Sequence, residues 1–269
     1  MISRSLVLLA AAALVFAASD GIALRLRTRV EPFKGSGDWR ATTVDYSLEP
    51  RKTAIILCDL WDKHWCRGAS ERVDKLAPKV AAVVAKLRAK GIMVIHAPSD
   101  TMEFYKNNPS HQAALGLPKA TLPEVLNLDA PKLPIDDSSG GCDTKDKFYK
   151  AWTREHPAIP VLPQDLVSDK GDVVYSALKL RGVETLLVAG VHTNMCILNR
   201  TFAIKQMTKW GVKCILIRDL TDSMYDPDDA PHVTHDRGTE LVIEHIEKYW
   251  APTVTSPELL TALAAPKGD

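Results

Sequence analysis

Apolar runs alternating with stretches of helical spacing constrain this chain more than any other feature. TAIILCD (53–59), IMVIH (92–96), ETLLVAGV (184–191) and VKCILIRD (212–219) are apolar almost throughout. That is the pattern of strands buried on both faces. Between the first two, Val73, Leu76, Val80, Val83, Val84 and Leu87 recur at helical spacing, with Pro78 near a possible helix start and Gly91 as a stop. DVVYSALKLRG predicts a helix closed by Gly182, NMCILNRTFAIKQMTKWG one closed by Gly211, and TELVIEHIEKYW (239–250) a last one. DLVS (165–168) reads as a short strand and TVTS as a short edge strand. The alternation predicts parallel βαβ units, hence an α/β domain with an open, mostly parallel sheet and helices on both faces. In such sheets ligands bind beyond the carboxyl ends of the strands. Asp59 ends one apolar run and Cys196 follows another, so both are expected on the same rim.

The stretch from Ala97 to about Pro163 is rich in Pro, Asn and Asp. It reads as a long loop with short helical pieces around EFYKN and DKFYKAWTR. Residues 21–50 are expected to form an N-terminal extension laid over a domain of residues 51–257, and residues 258–269 a C-terminal tail. At the N-terminus, MISRSLVLLAAAALVFAAS places Arg4 before an apolar run and small residues before Asp20. This is the layout of a secretory signal over residues 1–20, and the run is short of the ~20 residues that span a bilayer. Export to a secreted or periplasmic location is the expectation, with no stable membrane insertion after cleavage; the rival is an uncleaved membrane anchor, since GIALRL extends the apolar stretch. A net charge of +1 with interspersed signs advertises no nucleic-acid partner.

Five cysteines leave at least one thiol free in an exported protein. Cys58 and Cys214 fall inside strand patterns and read as small buried hydrophobes. Cys66 and Cys142 lie in loops, where a disulfide is open to them in an oxidising compartment. Cys196 follows Thr193 and Asn194, both good N-caps, and so falls in the first turn of the expected helix. There the helix dipole and unpaired N–H groups favour thiolate over thiol. Nucleophile and buried structural thiol both fit this position. Asp59, closing a run as apolar as AIILC, reads as a loop cap, as the partner of a nearby Lys such as Lys63, or as a general base for the thiol. Trp61, His64, Trp65, Phe104, Tyr105, His192 and Asn199 are candidates to face a substrate, with the alternative that at least one indole packs the long loop onto the domain.

With TAIILCDLWDKHWC, LLVAGVHTNMC and the order Asp…Lys…Cys, residues 50 to 257 resemble the isochorismatase-like cysteine hydrolases, which include nicotinamidases and N-carbamoyl amidases. AGVHTNMC matches the family's G-V-x-T-[DN]-x-C signature. The resemblance implies a six-stranded parallel sheet with the Asp-bearing and Cys-preceding strands adjacent. It implies a non-proline cis peptide at Val191–His192, with the N–H groups of His192 and Cys196 aimed at an oxyanion. It also implies a Lys that orients the acid. DLVSDK places Lys170 at that step, but the chain runs almost directly from Lys170 into DVVYSAL, where the family has an aromatic-containing loop. Lys145, Lys147 and Lys150 are alternatives. Nicotinamidases carry an Asp-x-His and a further His for a metal; here Asp100 is followed by Thr and Met, and His96 and His111 are scattered. No cofactor and no metal are therefore expected. The function these residues imply is hydrolysis of a small amide or carbamoyl compound through a thioester, in a possible homo-oligomer. The alternative is a non-catalytic binding or scaffold protein on the same fold with an incomplete triad.

Overall fold

The computed structural model describes residues 21–265; the leader expected over residues 1–20 lies outside them. A hairpin comes first, β1 (Ile22–Val30) against β2 (Arg40–Leu48), antiparallel from the Ile22–Leu48 pair to the Val30–Arg40 pair. Then follow β3 (Thr53–Cys58), α1 (Arg67–Ala89), β4 (Met93–Ala97), α2 (Met102–Tyr105), α3 (Pro109–Leu115), β5 (Leu166–Val167) and α4 (Gly171–Leu180). The C-terminal part holds β6 (Thr185–Val191), α5 (Cys196–Asn199), α6 (Ile204–Lys209), β7 (Lys213–Asp222), α7 (His235–Tyr249), β8 (Thr253–Val254) and α8 (Ser256–Ala264).

One sheet has the order β2-β1-β8-β7-β6-β3-β4-β5. Strands β3 to β8 pair in parallel. The hairpin adds two antiparallel strands beyond β8, so the sheet has eight strands rather than six. Residues 21–50 are thus part of the sheet rather than a cover over it, and TVTS supplies an inner strand, not an edge. Leu24, Leu26 and Leu48 are buried while their neighbours alternate outward, the period-two pattern of a strand covered on one face.

Consecutive side chains of the central strands feed two apolar layers. On one face Ile56, Leu186, Val188 and Leu216 pack with Val174, Leu178, Phe202, Met207, Val242 and Ile246. On the other, Ile55, Leu57, Leu187 and Ile215 pack with Val73, Val80, Val84, Leu87, Leu259 and Leu263. Helix α1 starts at Arg67, well before Pro78, which is interior to it. An interior proline costs about 3 kcal/mol. Burying the stripe Val73, Leu76, Val80, Val83, Val84 and Leu87 returns ~1.5–3 kcal/mol for each large side chain, so the helix continues. Gly190, at φ 122°, has no room for a side chain: a Cβ there would lie 2.0 Å from the Cys58 carbonyl oxygen. β3 and β6 therefore approach closely at their carboxyl ends, next to Asp59.

The single helix expected over 194–211 is broken. α5 is one turn long, Arg200 is extended (φ −63°, ψ 150°), and α6 resumes at Ile204. The piece expected around DKFYKAWTR is not helical, whereas α3 was not foreseen.

Candidate active site

Asp59 leaves β3 in a left-handed conformation (φ 49°), which turns its fully buried carboxylate along the rim. Oδ1 accepts from the Ser99 N–H at 2.7 Å, and Oδ2 from Arg200 Nε at 2.9 Å. The Cys196 thiol lies beside the same carboxylate. The acid and the sulfur therefore meet across the ends of β3 and β6, which pair in parallel from Thr53–Thr185 to Cys58–Gly190.

The Val191–His192 peptide bond is cis, and the His192 backbone lies beside the Cys196 sulfur. Met195, not Thr193 or Asn194, precedes the first turn of α5. The Asn194 side chain is instead engaged by Met224 N and O (2.8 and 3.0 Å) and by Asp137 (2.8 Å), pinning the loop behind Cys196.

The electrostatics correct one expectation. Burial first, then the neighbouring Asp59 charge, push the Cys196 pKa well above the ordinary thiol range, and Arg200 only partly opposes them. A one-turn helix does not overcome a buried carboxylate in contact, so the resting sulfur is a thiol. Burial likewise raises the pKa of Asp59, with the Arg200 charge, the thiol and the Ser99 N–H pulling it down.

Arg200, not Lys170, is the cation on Asp59. Lys170 sits at the N-cap of α4 with a side chain 69% exposed, and its Nζ pairs with Asp169 at 3.2 Å. The shortened segment ahead of α4 leaves it outside the cleft. Lys145 pairs with Asp226 and Asp228, and Lys150 Nζ donates to the Asp100 carbonyl at 2.9 Å. Arg200 also reaches Asp100 at 3.5 Å, and its N–H donates to the Cys196 carbonyl at 3.1 Å. The available signal was position: a charge four residues after the cysteine, inside CILNRTF.

Of the other candidates, Trp61, His64 and His192 come together beside Asp59 and line a narrow cavity of about 10 Å³ with Ser70, Val73 and Val191. Trp152, unforeseen, stacks on Trp61 at 4.5 Å between ring centroids, and His64 stacks on Trp152 at 5.8 Å. Beyond His64 a wider groove of about 450 Å³ opens, with Trp65, Arg67, Lys147 and Tyr149 in its walls. Trp61 is also structural, since its Nε1 donates to the Ser99 carbonyl at 3.0 Å. Tyr105 does not face the cleft: its hydroxyl accepts from the Glu155 N–H at 3.0 Å. Asn199 turns back on its own segment, donating to the Met195 carbonyl at 2.8 Å and accepting from Lys205. Phe104 is exposed and lies under the Arg154 guanidinium.

Cys66 and Cys142 are joined in a disulfide, while Cys58, Cys196 and Cys214 are free. Among the described residues, the His, Cys and carboxylate cluster with metal-ligand spacing is Cys66, Cys142 and Asp143, where the two sulfurs are bonded to each other. Both ring nitrogens of His96 are committed, Nδ1 to Glu155 at 2.6 Å and Nε2 to Asp165 at 3.2 Å.

A solved cysteine hydrolase from Pseudomonas syringae pv. phaseolicola 1448A is similar in fold, with TM-score 0.51 and 17% identity over 80% of this chain and 94% of its own. A putative isochorismatase from Burkholderia xenovorans LB400 is similar too, with TM-score 0.50 and 14% identity over 79% of this chain and 87% of its own. No curated protein matches the sequence. The family model of the isochorismatase domain matches residues 53–237, more than half of the chain, spanning the acid, the cis peptide and the cysteine: this protein belongs to the isochorismatase family of hydrolases.

Proposed function

We propose that the protein is a cysteine hydrolase that cleaves the C–N bond of a small amide or carbamoyl compound. The convergence of the Asp59 carboxylate, the Cys196 thiol and the Arg200 guanidinium supports this reading. A resting thiol on a carboxylate with a raised pKa is the arrangement for general-base activation, not for a preformed thiolate. Asp59 takes the proton as the sulfur attacks the carbonyl carbon. The His192 and Cys196 N–H groups hold the oxyanion. Asp59 then hands its proton to the leaving nitrogen, the amine departs, and a thioester to Cys196 remains. Water attacks that thioester, the acid leaves, and its proton returns through Asp59 to the sulfur. Arg200 favours the charged form of the carboxylate between proton transfers and keeps it aimed.

The non-catalytic alternative drew on a triad without its Lys; Lys170 indeed stands away from Asp59, and in the proposed mechanism Arg200 takes that place. The disulfide fits the proposed export to an oxidising compartment.

A panel of small amides and N-carbamoyl compounds tests the proposal. Hydrolysis by the wild-type protein and loss of at least ~10³-fold in Cys196→Ala and Asp59→Asn is the expected result. Turnover that survives Cys196→Ala rules the mechanism out.

A further inference from the structure

His64 and His192 face each other beside the acid, and the hydrolysis just proposed leaves both rings without a role. Their centroids are 4.9 Å apart, edge to face, and the residues are 8% and 2% exposed. His64 is clamped: Ser70 Oγ accepts its N–H at 2.9 Å and donates to its carbonyl at 3.0 Å. The Cys66 N–H donates to His64 Nδ1 at 3.2 Å, which assigns the ring proton to Nε2. His192 Nε2 is buried with no hydrogen-bond partner. A buried polar nitrogen left that way is unfavourable, so the position calls for a ligand. Burial, with the Arg72 charge behind it, lowers the His64 pKa to about 4, and burial lowers that of His192 to about 3. Both rings are neutral at physiological pH, each with one donor and one acceptor nitrogen.

Both rings line the cavity of about 10 Å³, and Asp59 lines it with them. That volume admits roughly one water and no aromatic ring. Its other walls are Trp61, Asp62, Lys63, Ser70, Val73 and Val191. Asp59 and His192 also flank the Cys196 sulfur. The cavity thus adjoins the base and a residue that flanks the Cys196 sulfur, and the neutral imidazoles offer a guest one donor and one acceptor nitrogen each.

We propose that this cavity seats the water that hydrolyses the thioester, held by the ring nitrogens of His64 and His192 and deprotonated by Asp59. The proposal rests on the hydrolase reading above. In the step, the water oxygen bonds to the thioester carbon and its proton passes to Asp59. The carbon–sulfur bond breaks, and the sulfur takes the proton back as a thiol. A small uncharged group on the substrate, such as an N–H of a carbamoyl unit, has the same hydrogen-bonding chemistry, and the test separates the two sources.

Single-turnover acylation by p-nitrophenyl acetate, followed by release of p-nitrophenolate and by intact mass, isolates the two half-reactions. In His64→Phe and His192→Phe, deacylation by water should slow by about tenfold or more relative to acylation. Hydroxylamine, a strong nucleophile that needs no seat, should clear the acetyl group at near the wild-type rate. His64→Gln and His192→Gln, which keep hydrogen-bonding side chains, should recover part of the loss. Unchanged deacylation by water overturns the proposal, as does equal slowing with hydroxylamine, which marks the rings as structural. Selective loss of acylation by p-nitrophenyl carbamate, with deacylation intact, also overturns it and gives the cavity to the substrate. Failure of the wild-type protein to form any acetyl-Cys196 is a different result: it removes the hydrolase reading and this inference with it.

Discussion

Replacing Arg200 with Gln should move the acid limb of the activity profile upward. The guanidinium Nε lies 2.9 Å from an Asp59 oxygen, which puts the charge centres about 4 Å apart. Unit charges at that distance interact by ~4 kcal/mol at an effective dielectric near 20. The Arg200 side chain is 33% exposed, so solvent screening halves this to roughly 2 kcal/mol. At 1.36 kcal/mol per unit, that corresponds to about 1.5 pKa units. The sign follows from the role: Asp59 must be ionised to take the thiol proton, Arg200 favours the ionised form, and its loss raises a pKa that burial has already raised. Activity therefore disappears at higher pH than in the wild type. Removing Arg200 also takes away a charge that lowers the Cys196 pKa, which reinforces the loss.

The assay is the pH dependence of Cys196 acylation by p-nitrophenyl acetate in wild type, Arg200→Gln and Arg200→Lys. Gln should shift the acid limb up by about 1–2 units, and Lys should recover part of the shift, since an ammonium keeps the charge but lacks the planar set of donors. The same step should be absent in Asp59→Asn. An acid limb that stays in place in Arg200→Gln refutes the assignment of Arg200, and restoration of that limb by an added Lys170→Ala change would be inexplicable on this geometry.

Two further outcomes concern stability. Burial alone would lower the His96 pKa, but Glu155 and Asp165 outweigh it and hold it at about 9. Its unfolded value is about 6.5, so its contribution, up to about 3 kcal/mol, is complete below about pH 6.5 and is lost as pH rises through about 9; urea midpoints across this range should fall in wild type more steeply than in His96→Gln, and parallel curves would contradict the reading. The Cys66–Cys142 bridge closes a sequence separation of 76, for which chain entropy gives about 4.5 kcal/mol; the Cys66→Ser/Cys142→Ser double variant should lose stability on that order, and titration of denatured, unreduced protein should find three thiols, with five refuting the bridge.

The fold was legible where burial on both faces wrote long apolar runs: β3, β4, β6 and β7 fall where TAIILC, IMVIH, ETLLVAGV and VKCILIRD place them. The β1–β2 hairpin was not legible, because its outer strand is largely exposed and reads as a polar extension until its partner is known. The break after Asn199 was hidden for a related reason. CILNRTFAIKQM has helical spacing throughout, and Arg200 leaves the helix for a buried carboxylate that lies far away in sequence. Asp59 and Cys196 could be found from sequence because each sits at the end of an apolar run. Tyr105 and Asn199 misled because an aromatic or amide side chain in a loop looks the same whether it meets a ligand or, as here, a backbone group.

Putting the cation four residues after Cys196 changes how the site is built. An ammonium reaching in from the α4 side would tie the acid to a segment that, in this chain, is too short to reach it. Arg200 ties the acid to the segment that carries the sulfur, so one turn of helix fixes both distances from Asp59 at once. It also restricts the chemistry. A guanidinium does not give up its proton, and this one is held more firmly still by its partner carboxylate. The cation therefore cannot serve as an acid in any step. In the proposed mechanism the protons exchanged among thiol, leaving nitrogen and water all pass through Asp59, which is why that mechanism depends on a carboxylate with a raised pKa and not on a preformed thiolate.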